Sequence, residues 1–389
     1  MKMSEVWRAS SMVDPKITYL NTGTLGPTLR PAWDSVTRLY ETWMQMGPGG
    51  SLELQGGDGY FHYMELQDRC RSEMAKWLRV DPSQVAITGN ASDGINLVTS
   101  SIPFHDGDHV IITNEEHEAL SYPIKRLAKR FHLSVTEIEF PVSDTDFAFA
   151  ERVHDALRPN TRLVALSHVS HRTGWTMPLE DVCDVLANHQ AWFLVDGAHA
   201  VGTKLLRIPD RVDVYVFPGH KWLFATVGTG VVIGNPRVFD MMVPILGGAP
   251  SLVNGVRSQE SFAGRCEFGT RNWALTVGIC EALRFRSQWS EDEIIQHYGE
   301  ITKSFRAGYG ESGCRITCNG TGPLLNISTT SADRVAEGLW HNERILVKGH
   351  AFGLRVSLPP WVDVDEATAI GKVIGEYVTN LGLQMPTEK

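Results

Sequence analysis

Two segments of the chain carry residues that could do chemistry. In VFPGHKW, Val216 to Trp222, an apolar run ends on a Pro-Gly pair and sets His220 beside Lys221. In AWFLVDGAH, Asp196 directly follows an apolar run and His199 comes three positions later. Taken singly, a lysine in a turn points into water and an aspartate after a strand caps the next helix. At the end of a buried strand, however, desolvation disfavours an aspartate's charge unless a cation or donor meets it. A lysine partly buried beside other cations has a lowered pKa, and a neutral amine is what Schiff-base chemistry requires. GNAS, ahead of the helical pattern DGINLV, offers backbone N–H groups and the Ser92 hydroxyl at a helix N-terminus. That is a phosphate seat or, more plainly, an N-cap by Ser92. His117 in EEHEA reads as a packed or functional imidazole, and Arg355 in GLRVSL as a salt-bridge partner or a carboxylate clamp.

These residues need a scaffold that gathers strand ends. From Leu66 to Gly234 short apolar runs (QVAIT, HVIIT, SVTEIEF, RLVALSHV, WFLVDGA, VDVYVFPG, GTGVVIG) read as strands. Most are separated by amphipathic stretches (SDGINLVTSSI, ALSYPIKRLAKRF, ERVHDALRP, PLEDVCDVLANHQ) that read as helices. Strands joined through helices form a parallel sheet, and such sheets bind ligands beyond the carboxyl ends of their strands. GNAS, NEEH, SHRTG, DGAH and PGHK all follow an apolar run. After about residue 255 the rhythm changes to two long helical patterns, a strand-like LLNIST, a helix DRVAEGLWHNERI, a strand LRVSL and a last helix, which suggests a second, smaller α+β domain. GPGGSLELQGGDGY reads as a glycine-rich loop.

At 389 residues the chain exceeds the size at which one core stops growing, so two domains are expected. Its 42% apolar and 21% charged residues are ordinary for a globular protein. The net charge of -9, with no run of like charges, argues against nucleic-acid and membrane-surface partners and leaves a small molecule. No apolar stretch approaches the ~18 residues that would span a bilayer, and the N-terminus lacks a signal-like apolar core, so a cytoplasmic protein is expected. The six cysteines lie far apart except Cys314 and Cys318, whose spacing is not that of a metal or redox site, and they read as reduced thiols. No metal is expected: His105, Asp106, Asp108 and His109 in FHDGDHV could suggest a metal hydrolase, but a turn before a strand explains them better.

The residues together carry a family resemblance. The chain resembles a fold-type I pyridoxal 5'-phosphate enzyme of the class V aminotransferase superfamily, in the branch of isopenicillin N epimerase-like and cysteine desulfurase-like proteins. The resemblance runs from YLNTGTLGP near residue 19 to LRVSL near 358, and VDGAHAVG followed by GHKW is its specific part. It implies an α/β fold: a large domain, residues 20–255, with a mainly parallel mixed sheet flanked by helices, and a smaller α+β domain from residues 1–19 and 256–389. It also implies roles. Lys221 matches the lysine that holds the cofactor as a Schiff base, and Asp196 the acid that pairs with the pyridinium nitrogen and keeps the ring an electron sink. His199 takes the place of the residue that hydrogen-bonds the phenolic oxygen, and His117 that of the aromatic stacked on the ring. Ala91 and Ser92 match the phosphate-contacting turn, with His220 beside them. Thr270 in RCEFGTRN resembles the segment that reaches the phosphate from the neighbouring subunit, which implies a homodimer with a shared active site. Arg355 resembles the arginine that grips the substrate's α-carboxylate, and Asn21 in YLNTGTLGP is expected at the substrate.

Three departures qualify the likeness. His171 in SHVSHRTG stands where relatives commonly carry asparagine, and Pro218 where desulfurases place a phosphate-binding serine. ILVKGHAFGLRVS holds no cysteine where desulfurases carry their nucleophile, which argues against a persulfide mechanism. With Lys221 as the natural base for a Cα proton, the expected reaction is β-elimination of C–S lyase type on a bulky amino-acid conjugate in natural-product tailoring. The aromatic segments YETWMQM and GYFHY would line its site or else belong to the core. Epimerisation, decarboxylating deamination and transamination start from the same Schiff base, and a catalytically inactive protein of the same fold is the remote alternative.

Overall fold

The structure is a computed structural model. It describes residues 2–46, 59–140, 148–243, 246, 252–253, 256–257, 262–269, 271–312 and 322–382. A seven-stranded sheet organises the larger part, in the order Val85–Thr88, Gly230–Gly234, Val214–Pro218, Trp192–Asp196, Thr161–Ser167, His109–Thr113, Ser134–Ile138. Gly230–Gly234 runs antiparallel to both its neighbours and every other pairing among the remaining strands is parallel. Each strand coincides with one of the seven apolar runs.

Successive residues of a strand face opposite sides, and both sides are buried here except at the edge strand Ser134–Ile138. Phe193, Val195, Tyr215, Phe217, Val231 and Ile233 pack on one face against Met74, Leu78, Val182 and Leu186. Trp192, Leu194, Val214, Val216 and Val232 pack on the other against Ile95, Val98, Leu120 and Ile124. Strands covered on both faces cannot alternate apolar with polar residues, hence their continuous apolar runs. The helices Ala91–Ser101, Glu118–Phe131, Phe149–Ala156 and Leu179–Leu186 supply the cover.

A second core joins the N-terminal helix Met3–Ser10, through Trp7, to the three-stranded antiparallel sheet Leu324–Ile327, Gly353–Ser357, Lys348–His350 and the helices Glu291–Gly310, Ala332–Glu343 and Val364–Gly382. The helix Trp273–Arg286 belongs to both cores: Ile279, Ala282 and Leu283 pack beneath the large sheet, whereas Phe285 stacks edge-on against Trp7. The same helix brings two of the cysteines together: Cys280 faces Cys70 of the helix Gly59–Leu78, their Cα atoms 5.6 Å apart. A separation of 210 residues hid the pairing, because only the packing of the two helices brings the thiols together. Cys314 and Cys318 lie outside the described residues, as does most of the glycine-rich segment, of which Gly59 and Tyr60 open the helix Gly59–Leu78.

Candidate active site

The carboxyl ends of five strands open on one cavity of about 500 Å³. Val85–Thr88 leads to Asn90, Ala91 and Ser92; His109–Thr113 to Glu116 and His117; Thr161–Ser167 to His171 and Arg172; Trp192–Asp196 to His199; and Val214–Pro218 to His220 and Lys221. The opposite wall comes from Gly23 and Thr24 and from the tight hairpin that carries Lys348, His350, Phe352 and Arg355. Residues more than 250 positions apart thus face one another across the cavity.

Lys221 lies where the sequence suggested, one strand place from Asp196. Its amine is pulled down to about 8 by burial and by Arg355, against the opposing attraction of Asp196. Asp196 accepts a hydrogen bond from the Ala198 backbone N–H (2.9 Å), so it closes a turn and does not cap a helix. Burial raises its pKa, with Lys221, the Ala198 N–H and His117 opposing the rise. His199 sits 3.2 Å from the Lys221 amine through Nε2, and its Nδ1 accepts from the Trp222 indole N–H at 3.3 Å. An indole N–H can only donate. The His199 proton therefore resides on Nε2, and burial holds the ring neutral, well below its ordinary pKa.

Ala91 opens the helix Ala91–Ser101, but the N-cap is Asn90, whose side chain accepts from the Asp93 N–H at 2.8 Å. Ser92 is thereby left exposed in the first turn, free of the capping duty that was its plainer reading. Gly230 lets Asn90 sit against the sheet, since a Cβ there would come within 2.5 Å of the Asn90 backbone. His220 lines the same end with a buried, unpartnered Nδ1. His117 caps the helix Glu118–Phe131, its Nδ1 accepting from the Ala119 N–H at 3.0 Å, and meets His171 edge-on at 5.0 Å. Burial, helped by His117 and Arg355, drives His171 down to about 2, so it is a neutral ring with an orphaned Nδ1.

Arg355, 5% exposed, donates to the His171 carbonyl at 3.2 Å and to Thr24 Oγ1, and its buried Nε has no partner. No carboxylate pairs with it among the described residues, which disposes of the plain salt-bridge reading. Asn21 does not line the cavity. It accepts from the Thr24 hydroxyl at 2.7 Å and so holds the residue that does. Thr270 lies outside the described residues. Tyr40 and Trp43 turn away from the site, Tyr40 donating to Asn272 and Trp43 packing on Trp273, so these aromatics belong to the packing.

Several wall residues escaped the sequence reading. Glu116 is buried and pushed up to about 7 by that burial, against hydrogen bonds from Ser167 and Thr113. Thr24, Arg172, Lys348, His350 and Phe352 line the outer wall. The alternation in KGHAFGLR was their available signal: residues two apart on a strand share a face. The turn at FHDGDHV turns to neighbours instead of converging: Asp106 meets His132, Asp108 meets Arg162, and His109 is held between Thr161 and Thr136.

A buried amine of depressed pKa, a buried acid on the adjacent strand and an N-terminal helix turn beside an orphaned imidazole suit a cofactor with an aldehyde, a ring nitrogen and a phosphate. On this fold, that set defines a pyridoxal-phosphate enzyme of fold type I. The chain belongs to the aminotransferase class-V family, whose model matches residues 60–327. It is 26% identical over 367 residues to isopenicillin N epimerase of Streptomyces clavuligerus, an alignment covering 87% of this chain and 88% of that protein. A probable cysteine desulfurase of Methanothermobacter thermautotrophicus is 25% identical over 74% of this chain and 71% of its own. Among solved structures, a mutant of C-DES with glycine covalently linked to its PLP cofactor superposes with a TM-score of 0.85 at 22% identity, over 97% of this chain and 100% of that one. The cystine C–S lyase C-DES in complex with cysteine persulfide gives 0.84 at 23% identity, over 93% and 98%. Among the described residues no helix is long and apolar enough to cross a membrane.

Proposed function

We propose that this enzyme removes the α-proton of an amino-acid conjugate and expels a sulfur substituent from its β-carbon, in the tailoring of a natural product. The observation that carries the reading is Lys221: a buried amine with pKa about 8, backed by a neutral His199 that presents N–H, at the floor of a cavity whose far wall holds Arg355, which meets no carboxylate among the described residues. When bound, pyridoxal phosphate supplies an electron sink that acidifies the substrate's Cα–H. Asp196 would hold its ring nitrogen, Ser92, His220 and the helix N-terminus its phosphate, His117 its face and His199 its phenolic oxygen.

The protein's own part is positioning and proton transfer. Arg355 anchors the α-carboxylate, with Thr24 and the His171 carbonyl fixing the guanidinium. Lys221 takes the α-proton. The Cβ–S pair leaves with sulfur as a thiolate, and the released aminoacrylate hydrolyses to a keto acid and ammonium. The hairpin that ends at Arg355 offers His350 and Phe352 to the cavity and has no cysteine in its sequence, which supports direct elimination over persulfide transfer. Epimerisation is the second reading, favoured by the likeness to isopenicillin N epimerase across most of both chains. We also propose a homodimer in which Thr270 reaches the neighbouring site.

Absorbance of the purified protein, borohydride reduction and peptide mapping test the first step: a yellow protein bleached by borohydride and labelled at Lys221 is expected. A colourless protein that stays unlabelled after incubation with the cofactor refutes it. Thiol and keto-acid release from cysteine S-conjugates, set against chiral analysis of the recovered amino acid, separates elimination from epimerisation. Light scattering reads the dimer directly.

A further inference from the structure

The outer wall of the cavity carries more positive charge than one α-carboxylate requires. Lys348 stands directly opposite Arg355 in the antiparallel hairpin, and His350 opposite Gly353. Positions two apart share a face, so Lys348, His350 and Arg355 present to the same side, and all three line the cavity. Like charges directly opposite on a sheet repel. Arg172 adds a third permanent charge from the loop after Thr161–Ser167, its guanidinium 4.7 Å over the Phe352 ring. Phe352 in turn stacks on His350 at 4.6 Å, the rings 12° from parallel.

This cluster leaves polar atoms unsatisfied. Among the described residues the buried Nε atoms of Arg172 and Arg355 and Nε2 of His350 have no hydrogen-bond partner, and the carboxylate of Glu115 stays 3.9 Å from Arg172. Burial first, and then the positive charges of Arg355, Lys348 and Arg172, depress His350 to about 4 against the opposing carboxylate of Asp333. The phosphate seat at Ala91 and Ser92 follows the edge strand Val85–Thr88, four strand places from the strand that leads to Arg172, so these cations are not spent on it.

We propose that the substrate carries a second anionic group besides its α-carboxylate, seated on Arg172 and Lys348 with Phe352 and His350 as the flat wall beside it, while Arg355 takes the α-carboxylate. The proposal rests on the amino-acid chemistry argued above and narrows it to substrates with two anionic groups.

Matched pairs that differ in charge and hardly in shape test it. The holoenzyme is titrated with S-carboxymethyl-L-cysteine against S-carbamoylmethyl-L-cysteine, and with L-glutamate against L-glutamine, following the cofactor's visible band and thiol release. The anionic member of each pair should bind at least tenfold more tightly. Arg172→Gln and, independently, Lys348→Met should each cut that preference while leaving the affinity for the amide member within about twofold. Equal binding of both members to the unaltered enzyme, or a preference that survives both substitutions, overturns the second seat and leaves the amino-acid reading standing. Silence towards every member of both pairs, in a protein whose Lys221 is labelled by borohydride, overturns the amino-acid reading and the seat with it.

Discussion

Replacing Trp222 by phenylalanine should change the chemistry of a histidine without touching it. Trp222 is 1% exposed and meets Tyr298 edge-on at 6.1 Å, so phenylalanine keeps an aromatic ring in the core and removes one N–H. That N–H points at His199 Nδ1 from 3.3 Å and pins the proton on Nε2, the nitrogen 3.2 Å from the Lys221 amine. A net hydrogen bond of this kind contributes about 0.5–1.5 kcal/mol, so its loss should move the tautomer ratio towards Nδ1–H by roughly two- to tenfold. Nitrogen-15 NMR of histidine-labelled protein reads the two ring nitrogens directly, before any cofactor is added. If His199 holds the cofactor's phenolic oxygen as proposed, its Nε2–H would favour the anionic form of that oxygen and lower its pKa. Weakening that donor should therefore raise the pH midpoint of the cofactor's visible band, by about 0.4–1.1 units at 1.36 kcal/mol per unit. Unchanged nitrogen shifts and an unchanged midpoint, in a variant with native circular dichroism, would refute the assignment of His199 as a fixed donor.

Other positions give sharp expectations. Lys221 should label by reductive methylation of the cofactor-free protein with a midpoint near 8, because burial favours its neutral form; a reactivity that climbs only near its ordinary value of 10.5 would contradict that. Glu267→Gln should cost about 3 kcal/mol in guanidinium unfolding, the low end for a broken buried pair, since Asp68 remains 3.4 Å from the stranded Arg71. A loss under 1 kcal/mol would show that the pair is not the tie it looks to be. Gly26→Ala should lower the melting temperature and weaken cofactor retention, because a Cβ there would lie 2.0 Å from the Lys221 carbonyl oxygen, backbone against backbone. A variant with unaltered melting and cofactor content would refute the close approach.

What the sequence reveals and what it hides divide along one physical line. Strands buried on both faces must be continuous apolar runs, so six could be read that way and the half-exposed edge strand Ser134–Ile138 by its alternation, and the residues after them had to gather at one sheet edge. Asp196 and Lys221 are found that way, because adjacent parallel strands bring a separation of 25 positions into one site. The same logic is silent wherever a contact depends on which elements pack together. Cys70 meets Cys280 only because two helices cross, and Glu267, just after the helix Phe262–Cys266, finds Arg71, Gln67 and the Ile87 N–H only because the helix Gly59–Leu78 packs beside the strand Val85–Thr88. Trp222 stood in the stretch that first drew notice to Lys221, yet an indole after a lysine says nothing until its N–H is seen against His199. Asn90 and Ser92 compete for one cap, and a two-residue difference in which of them wins decides whether the Ser92 hydroxyl is left for a phosphate. The outer wall was the hardest part: Arg172 and Lys348 lie 176 positions apart and resemble solvated charges until the hairpin turns Lys348 towards Arg355. In this molecule, then, Asp196 and Lys221 are fixed by strand order and legible early, whereas Arg172, Lys348 and Phe352 reach the cavity from a loop and from its far side. Specificity can change there by single substitutions without disturbing the sheet that holds Lys221, which is the physical reason one fold serves elimination, epimerisation and sulfur transfer alike.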